Sequence, residues 1–288
     1  MRKIIYDCDN TFGLKNHDVD DGLTLFYLLG MTEIDLLGVT LSYGNGTIQE
    51  VQQMTQELQT RLRLDFSYYP SEKAVDYLID QVNRFPNEIT IIATGALTNL
   101  ARTQEKDPTF FNKVQEIILM GGITQPLFVN QLPVKELNFS CDPLATKKVL
   151  LSQTKVTIMN GHMTAGAFFS REELENFLEA AGSLITSDKL CWIADSLQSW
   201  IEWNKENFHF SGFCNWDMTT AVYLERPDLF SQEEYQLARV QDNLSKGQLT
   251  LAQQSDYLVK MPQKLLDLTS FNQLVIQRMV QGLTRSID

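Results

Sequence analysis

The chain has 288 residues, 43% apolar and 21% charged, proportions that exclude collagen-like, disulfide-dense and intrinsically disordered classes and allow a sizeable core. Lys and Arg total 24 against 36 Asp and Glu, a formal charge of -12. Nucleic-acid and anionic-membrane binders need clustered positive charge, so the balance argues against both and leaves small neutral substrates and cations open.

Lys3 to Tyr6 is a short β-branched and aromatic run ending in Asp7, which predicts a buried strand opening into a loop. Leu23, Leu25, Phe26, Leu28 and Leu29 then predict a buried helix, and Ile34 to Leu41 a second strand closed by Ser42-Tyr43-Gly44-Asn45-Gly46. Thr47 is placed to cap a helix from Ile48 to about Arg63. The alternation continues with a helix over Ala74 to Arg84, a strand over Ile89 to Ala93 and a helix over Leu97 to Gln104. Val114 to Met120 is a strand stopped by Gly121-Gly122, Pro143 to Leu151 a helix, and Val156 to Met159 a strand. Helices follow over Arg171 to Ala181, Ser187 to Asn204 and Asp217 to Leu224. The tail predicts strands over Gln236 to Val240, Gln248 to Leu251 and Tyr257 to Met261, then a helix from about Phe271 to Leu283.

Strands alternating with helices imply parallel pairing, so the expected fold is α/β. It has a mostly parallel open sheet, helices on both faces and a small extra strand group near the C-terminus. Without repeats or a Pro/Gly/Ser linker, residues 1–288 read as one domain. In such sheets ligands sit beyond the carboxyl ends of the strands. Asp7 and Asp9, Asn45, Thr94 and Gly121-Gly122 all fall there, at the ends of four different strands.

Cys8, Cys141, Cys191 and Cys214 have neither C-x-x-C spacing nor disulfide-framework density, a pattern expected of reduced thiols in a cytoplasmic protein. Only Ile4-Ile5-Tyr6 separates Met1-Arg2-Lys3 from Asp7, too little for a signal-peptide core, and no apolar run approaches bilayer length. A soluble, intracellular chain is the expectation.

Asp7, Asp9, Asp18, Asp20 and Asp21 place five carboxylates within 15 positions, flanked by apolar strand and helix. Carboxylates gathered at a strand end repel one another unless a cation or protons neutralise them. Several Asp oxygens with backbone carbonyls suit a hard cation, Ca²⁺ ahead of Mg²⁺ where protein ligands are numerous. No Cys/His cluster supports zinc.

Two families fit this opening. Ile4-Ile5-Tyr6-Asp7-Cys8-Asp9-Asn10-Thr11 resembles the first motif of haloacid-dehalogenase-type phosphatases, in which Asp7 would be the nucleophile and Asp9 the general acid/base. No G-D-x-x-x-D follows, and that reading has no use for Asp18 to Asp21. The second resemblance covers more of the chain. Asp7-x-Asp9 followed by Asp20-Asp21-Gly22-Leu23-Thr24-Leu25 resembles the D-x-D-P-G-x-D-D fingerprint of the nucleoside hydrolases. Gly38-Val39-Thr40 to Gly44-Asn45, Ala93-Thr94-Gly95-Ala96-Leu97-Thr98-Asn99-Leu100-Ala101 and Leu119-Met120-Gly121-Gly122 continue it in order. Glu136-Leu137-Asn138-Phe139 with Asp142-Pro143, then Trp216-Asp217-Met218-Thr219-Thr220-Ala221, complete it.

The resemblance implies Ca²⁺-dependent hydrolysis of ribonucleosides to free base and ribose, with Ca²⁺ held by Asp9, a bidentate Asp21, the Thr94 carbonyl and Asp217. Asp9 would also be the catalytic general base. Asp20 and Asn138 would bind the ribose 2′-hydroxyl, Asn45 and Asp217 the 3′-hydroxyl, and Glu136 and Asn130 the 5′ end, with Met120 under the sugar. A homodimer or homotetramer is implied as well. A non-catalytic nucleoside- or ribose-binding protein retaining the metal cradle would show the same blocks.

The chain departs from the family pattern in four places. Seven more residues separate Asp9 from Asp20-Asp21, and Asn10 stands where Pro is usual, so Phe12 or His17 is placed to reach the pocket and Asp18 competes with Asp20. The stretch from Leu64 to Lys73 is short and lacks the family's His-Gly segment near the nucleobase, so a leaving-group contact is either missing or replaced by Tyr68 or Tyr69. Trp216 precedes the last metal Asp where many pyrimidine-acting members have His, and resembles the stacking Trp of purine-preferring members. Leu137 stands where those members place a second Trp. His209 is the candidate base-side acid and His162 reads as structural.

Overall fold

The computed structural model describes residues 1–285. The opening run becomes strand β1 (Arg2–Cys8), buried from Ile4 onward. It carries no polar alternation because both of its faces are covered, as parallel strands require. Next come α1 (Asp20–Gly30), β2 (Ile34–Leu41) and α2 (Ile48–Leu62). Thr47 caps α2 as expected, its side chain taking the Glu50 amide while Glu50 returns to the Thr47 amide.

The alternation continues through β3 (Tyr68–Tyr69), α3 (Ser71–Arg84), β4 (Ile89–Ala93), α4 (Thr98–Lys106), α5 (Phe110–Lys113) and β5 (Glu116–Met120). A hairpin of β6 (Leu127–Val129) and β7 (Leu132–Val134) follows, then α6 (Asn138–Cys141), α7 (Pro143–Leu150), β8 (Val156–Met159) and α8 (Gly161–Thr164). The next segment holds β9 (Phe168–Ser170), α9 (Arg171–Ala181), α10 (Ser187–Phe208), β10 (Gly212–Cys214) and α11 (Met218–Glu225). The chain closes with β11 (Glu234–Leu237), β12 (Leu251–Ala252), β13 (Leu258–Lys260) and α12 (Leu268–Thr284).

Among the described residues, nine strands form one sheet in the order β12-β11-β13-β8-β5-β4-β1-β2-β3. All pairs from β13 to β3 are parallel, and β11 runs antiparallel to both β12 and β13, which makes the expected extra strand group a continuation of the main sheet. Helices cover both faces. Ile4 and Tyr6 of β1 join a core cluster with Phe26 of α1, Ile201 of α10 and Phe271 of α12. Ile5 points to the other face, where Leu78 of α3, Leu100 of α4 and Val149 of α7 pack. Among the described residues, no helix is long and apolar enough to cross a membrane.

The parallel order brings the carboxyl ends of β1, β2, β4 and β5 to one edge of the sheet. Elements that the hydrophobic pattern did not predict are short: β3, α5, the β6–β7 hairpin, α6, α8, and the β9–β10 pair that flanks α9 and α10.

Candidate active site

Four aspartates meet beyond the end of β1. Asp9 follows β1 directly, Asp20 and Asp21 open α1, and Asp217 sits at the N-cap position of α11. Carboxylates at a helix start are favoured by the partial positive charge of its free N–H groups. Asp20, Asp21 and Asp217 offer ligand oxygens that all lie within 4.8 Å of one another, and all three residues are buried.

Each carboxylate is aimed by a specific partner. Asp20 Oδ2 accepts the Asp217 backbone N–H at 2.9 Å. Asp21 Oδ1 accepts from the Tyr6 hydroxyl at 2.9 Å and from Thr94 Oγ1 at 2.6 Å. Asp9 Oδ2 accepts the Asn45 N–H. That contact requires glycine at 44, because a Cβ there would overlap Asp9 Oδ2. Asp9 Oδ1 and Asp21 Oδ2 are buried with no hydrogen-bond partner.

Removal from water raises the proton affinity of every member. Asp9 is pushed up to about 6, and Asp20, Asp21 and Asp217 are raised too. Burial is the largest cause, and repulsion from neighbouring carboxylates adds to it. A set of buried acidic oxygens, two of them without any donor, needs positive charge. Hard divalent cations take oxygen ligands of this kind, so the residues present fit one.

Above the carboxylates opens a cavity of about 890 Å³, counting its mouth. Asp20, Asp217, Asn45, Met120, Glu136, Asn138 and Trp216 line it, so seven residues expected from sequence share one space. Asn138 Nδ2 donates to the Met120 carbonyl at 3.2 Å, holding the end of β5 in place. Glu136 Oε1 accepts the Gly122 and Phe139 amides at 3.0 and 2.9 Å, and Oε2 accepts the Ser140 amide at 2.9 Å. Its carboxylate therefore caps α6 as well as facing the cavity. Gly247, at φ +67, passes so close that a Cβ would overlap Glu136 Oε2.

The sequence profile of the inosine-uridine preferring nucleoside hydrolases matches residues 59–273. The chain belongs to that family. The match contains Thr94 and Asp217 but begins after Asp9, Asp20 and Asp21, which lie around the lengthened loop. A probable uridine nucleosidase 1 of Oryza sativa subsp. japonica is 25% identical over 252 residues, 74% of this chain and 75% of that protein. The pyrimidine-specific ribonucleoside hydrolase RihB of Escherichia coli is 25% identical over 270 residues, 81% of this chain and 82% of its own. In fold, the chain resembles the purine-preferring ribonucleoside hydrolase from Gardnerella vaginalis, with a TM-score of 0.80 at 19% identity over 98% of this chain and 99% of that one.

This nucleoside hydrolase is thus an enzyme of a metal-dependent family acting on N-glycosidic bonds. Its structure also relocates several residues. Asn130 is exposed and does not line the cavity; its Nδ2 donates to the carbonyls of Phe208 and His209 at 2.7 and 3.4 Å. His209 is exposed too, in the left-handed conformation that ends α10, and its ring is not in the lining. Among the described residues no histidine lines the cavity. His162 Nε2 accepts the Thr124 amide at 3.3 Å, a structural role.

Neither Phe12 nor His17 reaches the pocket. Phe12 is fully buried between Phe26 and Trp192, ring centroids 5.4 and 5.3 Å away, because an aromatic ring gains more in the core than in a solvated loop. Tyr68 and Tyr69 are spent on β3 at the sheet edge, where Tyr69 stacks on Tyr77, and they make no base-side wall. The aromatic wall of the cavity comes from α10 and the segment after it, through Trp200, Trp203, Asn204, Phe208, Phe210 and Phe213. Asp18 lines the cavity beside Asp20, so the two share the site. Asp7 is buried, bound by Thr40 Oγ1 at 2.6 Å and Asn99 Nδ2 at 2.8 Å, and is not exposed to the cavity as a phosphatase nucleophile would be.

Proposed function

We propose that this enzyme hydrolyses ribonucleosides to free base and ribose with Ca²⁺ at the aspartate cluster, and that it prefers purines. The observation that carries the reading is the convergence of Asp20, Asp21 and Asp217 within 4.8 Å, with unpartnered oxygens on Asp9 and Asp21, beside a cavity with an aromatic wall that Asp20 and Asp217 line.

Asp9, Asp21, the Thr94 carbonyl and Asp217 would hold the ion. When bound, Ca²⁺ supplies Lewis acidity toward water and an anchor for vicinal hydroxyls. Asp9 takes the proton from the attacking water as its oxygen bonds to C1′. The C1′–N bond breaks as its electron pair passes to the base, which takes up a proton from solvent, and Asp9 then releases its own proton to solvent, so that one water is consumed. Asp20 and Asn138 orient the 2′-hydroxyl, Asn45 and Asp217 the 3′-hydroxyl, and Met120 packs under the sugar. A carboxylate has about four lone-pair sites. Glu136 commits three of them to backbone amides, which leaves one on Oε2 for the 5′-hydroxyl. The clustered carboxylates stabilise the oxocarbenium-like charge that develops on the ribosyl group.

The base-side wall supports the purine preference. Trp200 and Trp203 lie parallel with centroids 4.6 Å apart, and Trp216 lines the same cavity. Flat aromatic surface favours the larger ring system. Inosine, adenosine, guanosine, uridine and cytidine are to be compared with and without chelator. Release of base and reducing sugar that stops in chelator supports the reading, whereas thermal stabilisation by nucleosides without turnover would leave a binding protein.

A further inference from the structure

We infer that Tyr6 is a positioning residue for the cation site, its hydroxyl holding Asp21 by one oxygen so that only the other faces the ion. The inference rests on the metal reading proposed above and concerns how this chain sets one ligand.

Tyr6 lies in the middle of β1, paired with Val39 of β2 and Ile92 of β4, and is fully buried in the apolar core. Any apolar side chain would satisfy such neighbours. A phenol buried there requires a hydrogen-bond partner. Tyr6 finds it in Asp21, with the hydroxyl 2.9 Å from Oδ1 and 3.2 Å from the Asp21 carbonyl. Thr94 Oγ1 stands 2.6 Å from the same Oδ1 and 3.1 Å from the Tyr6 hydroxyl. Two hydroxyl protons thus converge on Oδ1, while Oδ2 of the same carboxylate has no donor at all.

The asymmetry has a consequence for ligation. An oxygen that accepts two short hydrogen bonds has its lone pairs committed. Asp21 therefore presents one oxygen, in place of the bidentate pair that the family resemblance implies. The two hydroxyls come from β1 and from the loop after β4, adjacent parallel strands inside the sheet, so two neighbouring strands hold the same oxygen. Outer partners that orient a metal ligand contribute about 10- to 100-fold to affinity.

The test is calorimetric titration of the metal-free, full-length protein with CaCl₂, beside its metal-free melting temperature. Tyr6→Phe removes only the hydroxyl and should weaken Ca²⁺ binding about tenfold. Thr94→Val removes the second donor, keeps the backbone carbonyl, and should give a loss of the same order; it decides the matter if Tyr6→Phe does not fold. Affinity within twofold of wild type in Tyr6→Phe, or in Thr94→Val where Tyr6→Phe does not fold, overturns the inference, as does a loss confined to the metal-free melting temperature. A wild-type protein that takes up no Ca²⁺ overturns the metal reading itself, a distinguishable result.

Discussion

The backbone N–H of Asp217 donates to Asp20 Oδ2 at 2.9 Å across 197 positions of sequence. The floor of the site is therefore complete only when α11 has docked against the start of α1. A residue proposed as a metal ligand is thereby aligned by one proposed to bind substrate.

If Asp9 is the general base, Asp9→Ala should lower kcat about 10³-fold, within the range for loss of a positioned base. Far-UV circular dichroism should stay unchanged. Asp217→Ala should also empty the site, read as metal content after dialysis. Full metal retention in that variant would remove Asp217 from the ligand set.

Metal removal should be visible without any substrate. Stripping the ion leaves buried carboxylates facing one another, so chelation should lower the melting temperature by about 5 °C, and added Ca²⁺ should restore it. An unchanged melting temperature would mean that the carboxylates are neutralised by shared protons alone.

Trp216→Ala should cost about tenfold in kcat/KM for inosine and less for uridine, since stacking one base on an aromatic ring is worth about 1–3 kcal/mol. Steady-state kinetics on the two substrates decides it. Equal losses would defeat the stacking argument.

Away from the cavity, Arg278 of α12 pairs with Glu225 at the end of α11, and Tyr27 of α1 donates to the same carboxylate at 2.7 Å. Both members of the pair are mostly buried, with side-chain exposures of 14% and 16%. Arg278→Ala strands Glu225 against Tyr27 and should cost about 2 kcal/mol in urea unfolding, below the range for a fully buried pair. Turnover at 25 °C should not change. A loss under about 0.5 kcal/mol would place the pair with solvent-screened surface bridges.

Asp107 offers a pH test. Hydrogen bonds from Thr109 Oγ1 at 2.6 Å and the Thr109 amide at 2.9 Å hold its carboxyl down at about 2. A carboxyl whose folded value lies below its unfolded one stabilises the fold above the unfolded value near 4, and that contribution is lost as pH falls through about 2. The Asp107 carboxyl carbon should titrate near pH 2 by NMR, and Thr109→Val should raise its midpoint. No movement in the variant would reassign the shift to Lys113, whose Nζ lies 3.1 Å away.

The parts of the fold most legible from sequence were those with one strong local signal. Runs rich in apolar and β-branched residues such as Ile89 to Ala93 read as buried parallel strands, and the residues that follow them marked the edge where Asp9, Asn45 and Thr94 fall. The cavity's aromatic wall was not legible, because Trp200 and Trp203 at helical spacing look the same whether they face a core or a cavity. The β6–β7 hairpin was hidden by its turn, where Asn130 and Gln131 adopt φ of 46° and 66° without the glycine that usually signals it. Asp18 was visible beside Asp20, yet only the start of α1 reveals that both reach one space.

The bond from Asn130 to the end of α10 bears on how the pocket adapts. It joins the hairpin to the aromatic wall through one solvent-exposed amide, and a neutral bond of that kind is worth about 1 kcal/mol. Beneath it, Asp20 is held by the Asp217 amide, Asp21 by the Tyr6 and Thr94 hydroxyls, and Asn138 by the Met120 carbonyl, all of them buried. In the binding mode proposed above, the sugar meets a surface set by buried hydrogen bonds, while the base meets a wall joined to the hairpin by one exposed hydrogen bond. Selection among nucleosides would then be strict for the pentose and graded for the heterocycle.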